Sequence, residues 1–405
     1  MKQVWERKKL GEVCKVIAGQ SPEGKFYNSE GNGLPFYQGK KEYGEKFIGE
    51  PTTWTTEVTK EAGAGDILMS VRAPVGPVNF ATQKICIGRG LAAIRAEKLV
   101  DKEFLYNFLV KHENEIEGNT GAVFNSINKK QIENIEIPLP PLPEQQRIVA
   151  ILDEAFAAIA KAKANAEQNL KNAKELFESY LQSVFENKGE GWEEKRLGDK
   201  NLLEIIDGDR GKNYPTIKDF LDEGFCLFMN TKNVRPDGFE FNTTMFINEA
   251  KDKSMGKGKL RRNDVVMTTR GTIGNLGVYN DEVEFEHIRI NSGMLIFRPN
   301  QTQIISEYLF EILRSGIIKE QIKKHVSGAA QPQLPIKTIV NFTVPIPKSL
   351  KTQQTIVQKL DALSAETQKL EAIYQRKIED LEELKKSVLQ KAFNGEFNTS
   401  KEIAV

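Results

Sequence analysis

The chain is poor in the residues that most often carry chemistry. Its 405 residues include three cysteines and three histidines. Cys14, Cys86 and Cys226 lie far apart with no CxxC pair. That argues against a disulfide framework and fits reduced thiols in a cytosolic protein. His112, His287 and His325 have no cysteine at metal-ligand spacing, so we expect no metal. A GxxxxGK[ST] loop, HExxH, GxSxG and a glycine-rich cofactor loop are all absent. So is the Asn/Asp-Pro-Pro-aromatic tetrapeptide of amino-methyltransferases, because the prolines of Leu139-Pro140-Pro141-Leu142-Pro143 lack a preceding Asn or Asp. No apolar run reaches membrane-spanning length, and Met1-Lys2-Gln3-Val4-Trp5-Glu6 does not resemble a signal peptide. The expected location is cytoplasmic. Net charge is +1, so bulk basicity does not point to nucleic acid, and any such role rests on clustering. These absences predict a non-catalytic chain that binds no cofactor and positions something for another chain to act on.

What is present is a long repeat. Ile137-Pro138-Leu139-Pro140, Glu144-Gln145-Gln146-Arg147-Ile148-Val149 and a helical run to Phe185 return as Val344-Pro345-Ile346-Pro347, Thr352-Gln353-Gln354-Thr355-Ile356-Val357 and a run to Phe393. The offset is constant from Ile148 and Ile356 to Phe185 and Phe393, so the helical part has no insertions. Length kept this strictly suits a ruler. The repeat also includes Trp5…Leu10-Gly11 with Trp192…Leu197-Gly198, and Asp66…Arg72…Gly76 with Asp264…Arg270…Gly274. The chain is two tandem units, each a globular head followed by a helix, and the period is too long for a solenoid.

Alternating steps of four and three from Ile148 meet Leu152, Ala155, Ile159, Ala162, Ala166, Asn169, Ala173, Leu176 and Tyr180. The same steps from Ile356 meet Leu360, Leu363, Thr367, Leu370, Tyr374, Lys377, Leu381, Leu384 and Val388. Sustained apolar a/d positions predict a coiled coil, with Asn169 and Lys377 as polar seam residues that fix register. A compact head returns the chain near its start, so the two helices are expected to run antiparallel. The expected fold class is α+β: two globular heads joined by two long antiparallel coiled-coil helices in a pseudo-two-fold tandem repeat. The boundaries are 1–143 for head one, 144–191 for the central helix, 192–350 for head two, 351–394 for the C-terminal helix and 395–405 for a tail.

In the heads, Asp66 to Val71 and Asp264 to Thr269 look like buried strands. Three matched loop sets are candidates for nucleic-acid contact. They supply Gln38, Lys40 and Lys41, matched by Asn230, Lys232 and Asn233; Arg72, matched by Arg270; and Asn125 and Ser126, matched by Gln331 and Gln333. Arg, Asn and Gln pair with base edges, and lysines hold phosphates. Ordinary solvated turns have similar composition. For Arg72 and Arg270 the competing structural role is an ion pair with Asp66 or Asp264. A basic run from Lys251 to Arg262 is either a solvated loop or a phosphate clamp.

The proline-rich approach, Glu-Gln-Gln-Arg-Ile-Val, long helix, Trp-x4-Leu-Gly restart and second copy resemble the specificity subunit of type I restriction–modification systems. The resemblance covers nearly the whole chain. It implies that each head is a target-recognition domain reading half of a bipartite, asymmetric double-stranded DNA site. It implies that the helices space the heads and dock two methyltransferase subunits, which bind S-adenosylmethionine and methylate adenine, and that an endonuclease/translocase subunit joins them. Glu144, Gln145, Gln146, Ile148 and Leu152, with Gln353, Gln354, Ile356 and Leu360, then belong to the docking and spacer helices. The second copy departs from the pattern, with Thr352 in place of Glu144 and Thr355 in place of Arg147. Two other classes remain open: a coiled-coil scaffold with two protein-binding heads, and an enzyme with an unfamiliar site.

Overall fold

A computed structural model describes residues 5–118, 126–236, 238–325 and 333–397. The first head contains β1 (Arg7–Lys9), β2 (Cys14–Ala18), β3 (Leu34–Tyr37), β4 (Ile67–Ser70), β5 (Val78–Phe80), β6 (Ile85–Ile87), β7 (Leu91–Ala96), α1 (Lys102–Gly118) and β8 (Glu136–Pro138), and the helix α2 (Leu142–Glu186) follows. The second head contains β9 (Trp192–Arg196), β10 (Leu203–Asp207), β11 (Cys226–Met229), β12 (Val265–Thr268), β13 (Leu276–Val278), β14 (Ile288–Ile290), β15 (Met294–Pro299), α3 (Ser306–Arg314), α4 (Gly316–His325) and β16 (Thr343–Pro347), and α5 (Leu350–Phe393) follows. The chain folds as two compact units. One joins the first head, α2 up to Glu167 and α5 from Gln375 onward; the other is Gln168–Tyr374.

The two heads share a sheet order. In the first, an antiparallel sheet runs β2-β7-β4-β5, and in the second it runs β10-β15-β12-β13. A parallel pair lies beside each: β3 with β6, and β11 with β14. The strand run Ile67-Leu68-Met69 is apolar at every position because both faces of the sheet are covered. Ile67 and Met69 enter the core with Phe104 and Leu105 of α1, while Leu68 enters a second cluster with Ile85 and Ile87. Val265 and Met267 face Tyr308 and Leu309, and Val266 faces Ile288 and Ile290. An antiparallel ribbon closes each head next to its helix, β1 with β8 and β9 with β16.

Within each unit the start of one long helix lies beside the end of the other, running antiparallel. In the first unit Ile148 and Leu152 share a core with Leu389, Ala392 and Phe393, and Lys163 pairs with Glu382 at 2.6 Å. In the second unit Val357 and Leu360 share a core with Leu181 and Phe185. The matched helix ends plug the heads. Phe393 packs on Phe104 and Phe108 with ring centroids 5.0 and 5.7 Å away, and Phe185 meets Tyr308 at 5.6 Å. Truncating a buried ring of this size typically costs about 3–5 kcal/mol.

Two expectations about the helices need correction. The central helix was expected to reach 191 but ends at Glu186, because the chain turns through Lys188-Gly189-Glu190-Gly191, where Gly191 adopts a left-handed φ of 79°. The heptad phase also slips. Asn169 and Lys377 are exposed, as are Leu176, Leu370 and Leu384, so none of these five lies in the seam. The expected Ala166, Ala173, Thr367, Tyr374 and Leu381 do lie on the buried line, which otherwise runs through Leu170, Phe177 and Leu181 on α2 and Glu371 and Ile378 on α5. A straight helix of about 3.6 residues per turn drifts about 20° per heptad against a strict 3.5 repeat, which moves the contact line by one residue. No described helix is long and apolar enough to cross a membrane.

Candidate nucleic-acid interface

The described residues of the loops that the sequence singles out meet at one edge of each head, and the same hydrogen bonds bring them together. In the first head the Gly88 amide donates to the Tyr37 carbonyl at 2.8 Å, the Val71 amide to Gly90 at 2.9 Å, and the Ile127 amide to Val71 at 3.0 Å. In the second, Asn291 donates to Met229 at 2.9 Å, Thr269 to Gly293 at 2.8 Å, and Leu334 to Thr269 at 3.0 Å. Arg72 therefore forms a backbone bridge with Ser126, and Arg270 with Gln333. Gln38 closes the first edge so tightly that a Cβ on Gly90 would come within 2.2 Å of its carbonyl oxygen. In the second, a Cβ on Gly293 would sit 3.0 Å from Thr231 and 3.8 Å from the Arg270 side chain.

Gln38, Lys40, Lys41, Arg72 and Ser126 are exposed along the first edge, and Lys232, Arg270 and Gln333 along the second, with Asn230 half-buried. Asn125 and Gln331 lie outside the described residues. Asn233 is a correction. It is 2% exposed, its amide donates to the carbonyls of Glu240 and Thr243, and its Oδ1 accepts from the Asn230 amide, so it braces the loop from within. Asn230 Oδ1 in turn accepts from the Lys232 amide.

Neither Arg72 nor Arg270 makes the ion pair that the structural reading required. Arg95 holds Asp66 through two bonds of 2.7 Å, and Arg298 holds Asp264 at 2.9 and 2.8 Å. Arg95 and Arg298 occupy matching positions, a signal the sequence contains but the loop-centred reading missed. Burial raises the Asp264 carboxyl above its ordinary value even though Arg298 pulls it down, and Asp66 raises the pKa of the Arg95 guanidinium. Arg72 and Arg270 are exposed and have no ion pair among the described residues. The basic run is mostly internal: Lys251 pairs with Asp219, Lys253 with Glu249, Lys259 with Asp252, and Arg262 with Asp281. Arg289 anchors the same Asp252, which is 2% exposed. Lys257 and Arg261 are exposed and make no ion pair among the described residues.

The glutamines at the helix starts also take a different role from the expected one. Gln145 is fully buried; its oxygen accepts from the Asp101 amide at 2.7 Å, and its nitrogen donates to the carbonyls of Leu99 and Pro140. Gln353, also fully buried, repeats this with Ile305, Gln303 and Pro347. Each latches its own helix to its own head, and no face of it is open to a partner. Ile148, Leu152 and Leu360 are core residues for the same reason, and Ile356 is half-buried. Gln146 and Gln354 are exposed, while Glu144 is engaged by Arg147. Among the described residues no His, Cys, Asp and Glu side chains gather as a metal site. The three cysteines are free and buried, and burial pushes the thiols of Cys14 and Cys226 up to about 12.

Two matching heads with two matching edges pose the question of kinship. Residues 2–171 and again 189–380 match the family model of the type I restriction modification DNA specificity domain. The chain belongs to this family. Among its relatives is a putative specificity subunit of the type I restriction enzyme MjaX from Methanocaldococcus jannaschii, 44% identical over 182 residues, spanning 44% of this chain and 42% of that protein. The EcoBI specificity subunit of Escherichia coli is 22% identical over 97% of this chain and 86% of its own length. The MjaVIII specificity subunit of M. jannaschii is 25% identical over 96% and 92%. A chain solved in work on complex assembly and conformational transition of the type I R-M system shares the fold, with a TM-score of 0.79 at 21% identity over 98% of this chain and all of its own. The HsdS subunit from Thermoanaerobacter tengcongensis gives 0.62 at 20% identity over 97% of each chain. The chain is thus a type I restriction–modification specificity subunit with two DNA specificity domains in tandem. A scaffold without a DNA role does not account for this kinship.

Proposed function

We propose that each head reads one half of a bipartite, asymmetric double-stranded DNA site through the edge at which its three loops meet. The observation that carries this is the shared set of hydrogen bonds beneath two different edges. One frame presents Gln38, Lys40, Lys41, Arg72 and Ser126 in the first head and Asn230, Lys232, Arg270 and Gln333 in the second. Such side chains combine base-edge pairing with phosphate contact. Different residues on a common frame make the two half-sites differ in sequence.

The chemistry belongs to partner subunits. Two methyltransferase subunits carry S-adenosylmethionine and dock along the long helices, where Gln146, Gln354, Leu176, Leu370, Ile373 and Leu384 are exposed. An endonuclease/translocase subunit joins this complex. The complex works in the cytoplasm, where it meets incoming DNA. Methylome sequencing of a host with and without the gene tests the reading. A bipartite adenine mark that disappears with the gene is the expected result. An unchanged methylome in cells that express the whole system overturns it.

A further inference from the structure

Each head has two further turns at the same edge, and they touch. In the first head they are Gly19-Gln20-Ser21 after β2 and Gly88-Arg89-Gly90 before β7. A Cβ on Gly19 would come within 2.2 Å of the Gly88 carbonyl oxygen. In the second head they are Gly208-Asp209-Arg210 after β10 and Asn291-Ser292-Gly293 before β15, and a Cβ on Gly208 would come within 2.1 Å of the Asn291 carbonyl oxygen. Register confirms the match: Ala18 lies opposite Ala92, and Asp207 lies opposite Leu295. Each pair of turns holds one serine and one arginine, in exchanged places. Ser21 and Arg89 in the first head become Arg210 and Ser292 in the second, so each head brings one guanidinium to this place, from opposite turns. The contact between the turns persists. The Arg89 amide donates to Ser21 Oγ at 3.2 Å, and Arg210 Nη2 donates to the Ser292 carbonyl at 3.3 Å.

The two arginines differ in what holds them. Arg210 Nη2 also donates to Asp207 Oδ1 at 3.2 Å, whereas the matching residue in the first head is Ala18, which has nothing to offer. Arg89 has no ion pair among the described residues. Arg210 lines an open cleft of about 550 Å³ together with Lys212, Asn213 and Lys257. Asp209 lies in the same cleft, and its carboxylate accepts from the amides of Gly211, Gly256 and Lys257.

We propose that Arg210 reads a guanine in the half-site of the second head and that Asp207 holds its guanidinium in the reading position. Guanine offers O6 and N7 to a two-pronged donor; Nη1 and Nη2 engage them when Nη2 exchanges its Ser292 bond for the base, while Asp207 keeps the guanidinium oriented. The half-exposed pair adds little to stability, so its consequence is orientation. Lys212 and Lys257 of the same cleft suit phosphate contact, while the bond to Asp207 sets Arg210 apart. Arg72, Arg89 and Arg270, which have no carboxylate partner, suit the backbone instead.

The inference rests on the DNA reading above, and its test uses the complete chain assembled with its methyltransferase subunits. Binding and methylation are measured on duplexes carrying the native site and every single-base variant, at two salt concentrations. Arg210→Lys keeps the charge and removes the fork. The expected result is a loss of discrimination on the order of 10- to 100-fold at one G·C position of one half-site, with affinity for unrelated DNA unchanged. Asp207→Asn relaxes the same position by a smaller factor, and an unchanged preference there overturns the brace. An Arg210→Ala complex that weakens evenly on all sequences and loses salt dependence overturns guanine reading in favour of phosphate contact. A wild-type complex with no sequence preference sinks the DNA reading itself, and this inference with it. A bipartite preference that survives Arg210→Lys at every position sinks this inference alone.

Discussion

The two head–helix junctions share one device and differ around it. Gln145 and Gln353 make the same three hydrogen bonds in the same burial, one oxygen accepting from the residue before a helix and one nitrogen donating to two carbonyls. Beside them the units part. Asn107 of the first head is neutral and bonds the Glu103 carbonyl, whereas the matching Glu311 of the second is a carboxylate held by Arg314. Arg147 ties Glu144 to the Phe397 carbonyl, whereas Thr355 bonds only Lys351 in its own helix. Geometry common to both units is set by groups with no access to solvent. Variation collects in the side chains around that latch.

The largest expected effect follows from that distinction. Gln145→Leu or Gln353→Leu keeps the volume but strands one amide and two carbonyls. Each change should destabilise its own unit by about 3 kcal/mol, since a buried orphan group costs about 1–3 kcal/mol. Chemical denaturation of the full chain, followed by hydrogen exchange to locate the weakened unit, measures this. A loss under about 1 kcal/mol in both variants would show that the latch is decorative.

The next effect should appear in one unit only. Glu311 is 3% exposed, and burial pushes its carboxyl up to about 6, against the opposing pull of Arg314. Between the ordinary value of 4.5 and about 6 the native state keeps a proton that the unfolded chain has released. Stability of the second unit should therefore fall as pH rises through that window, by about 2 kcal/mol. The Asp361 carboxyl, raised mainly by its own burial, acts in the same direction. Glu311→Asn, which copies Asn107, should flatten the profile. Unfolding midpoints at closely spaced pH values would show it, and a slope of equal size in the variant would refute the assignment.

The edges should respond in the opposite manner, with function lost and stability kept. Arg72→Ala and Arg270→Ala remove exposed side chains that hold nothing internally. Melting temperatures should stay unchanged while DNA affinity drops about tenfold at physiological salt, with a shallower salt dependence. A head that melts earlier while keeping its sequence preference would return both arginines to a structural role.

How far these features were legible in the sequence follows from their physics. Strands buried on both faces announce themselves as unbroken apolar runs, as Ile67-Leu68-Met69 does, and constant spacing between Ile148 and Ile356 onward exposes the paired helices. The seam was misplaced at Asn169 and Leu176 because a fixed step of four and three allows for no drift, whereas the buried line moves on by one residue to Leu170 and Phe177. Gln145 passed for a surface residue because polarity at a helix start is ordinary, and burial of an amide is invisible until its three partners are known. The meeting of Arg72 with Ser126, or of Arg210 with Ser292, depends on which strands pair, information that sits in Val71, Ala92 and Leu295 rather than in the loops.

The smallest expected effect concerns Arg147. Its guanidinium bonds both oxygens of Glu144 at 2.7 and 2.8 Å and reaches the Phe397 carbonyl at 2.8 Å. The pair with Glu144 is partly exposed and contributes little by itself. The bond to Phe397 is the one that spans a long stretch of sequence, and it fixes residues that follow the end of α5. Arg147→Thr, which copies position 355, should cost about 0.5–1.5 kcal/mol and should speed amide exchange at Gly395 to Phe397 before the heads open. Thr355→Arg should add almost nothing, because Thr352 offers no carboxylate in the place of Glu144. A loss above about 3 kcal/mol for Arg147→Thr would mean that the guanidinium carries the first junction and that the buried Gln145 latch, shared by both units, does not.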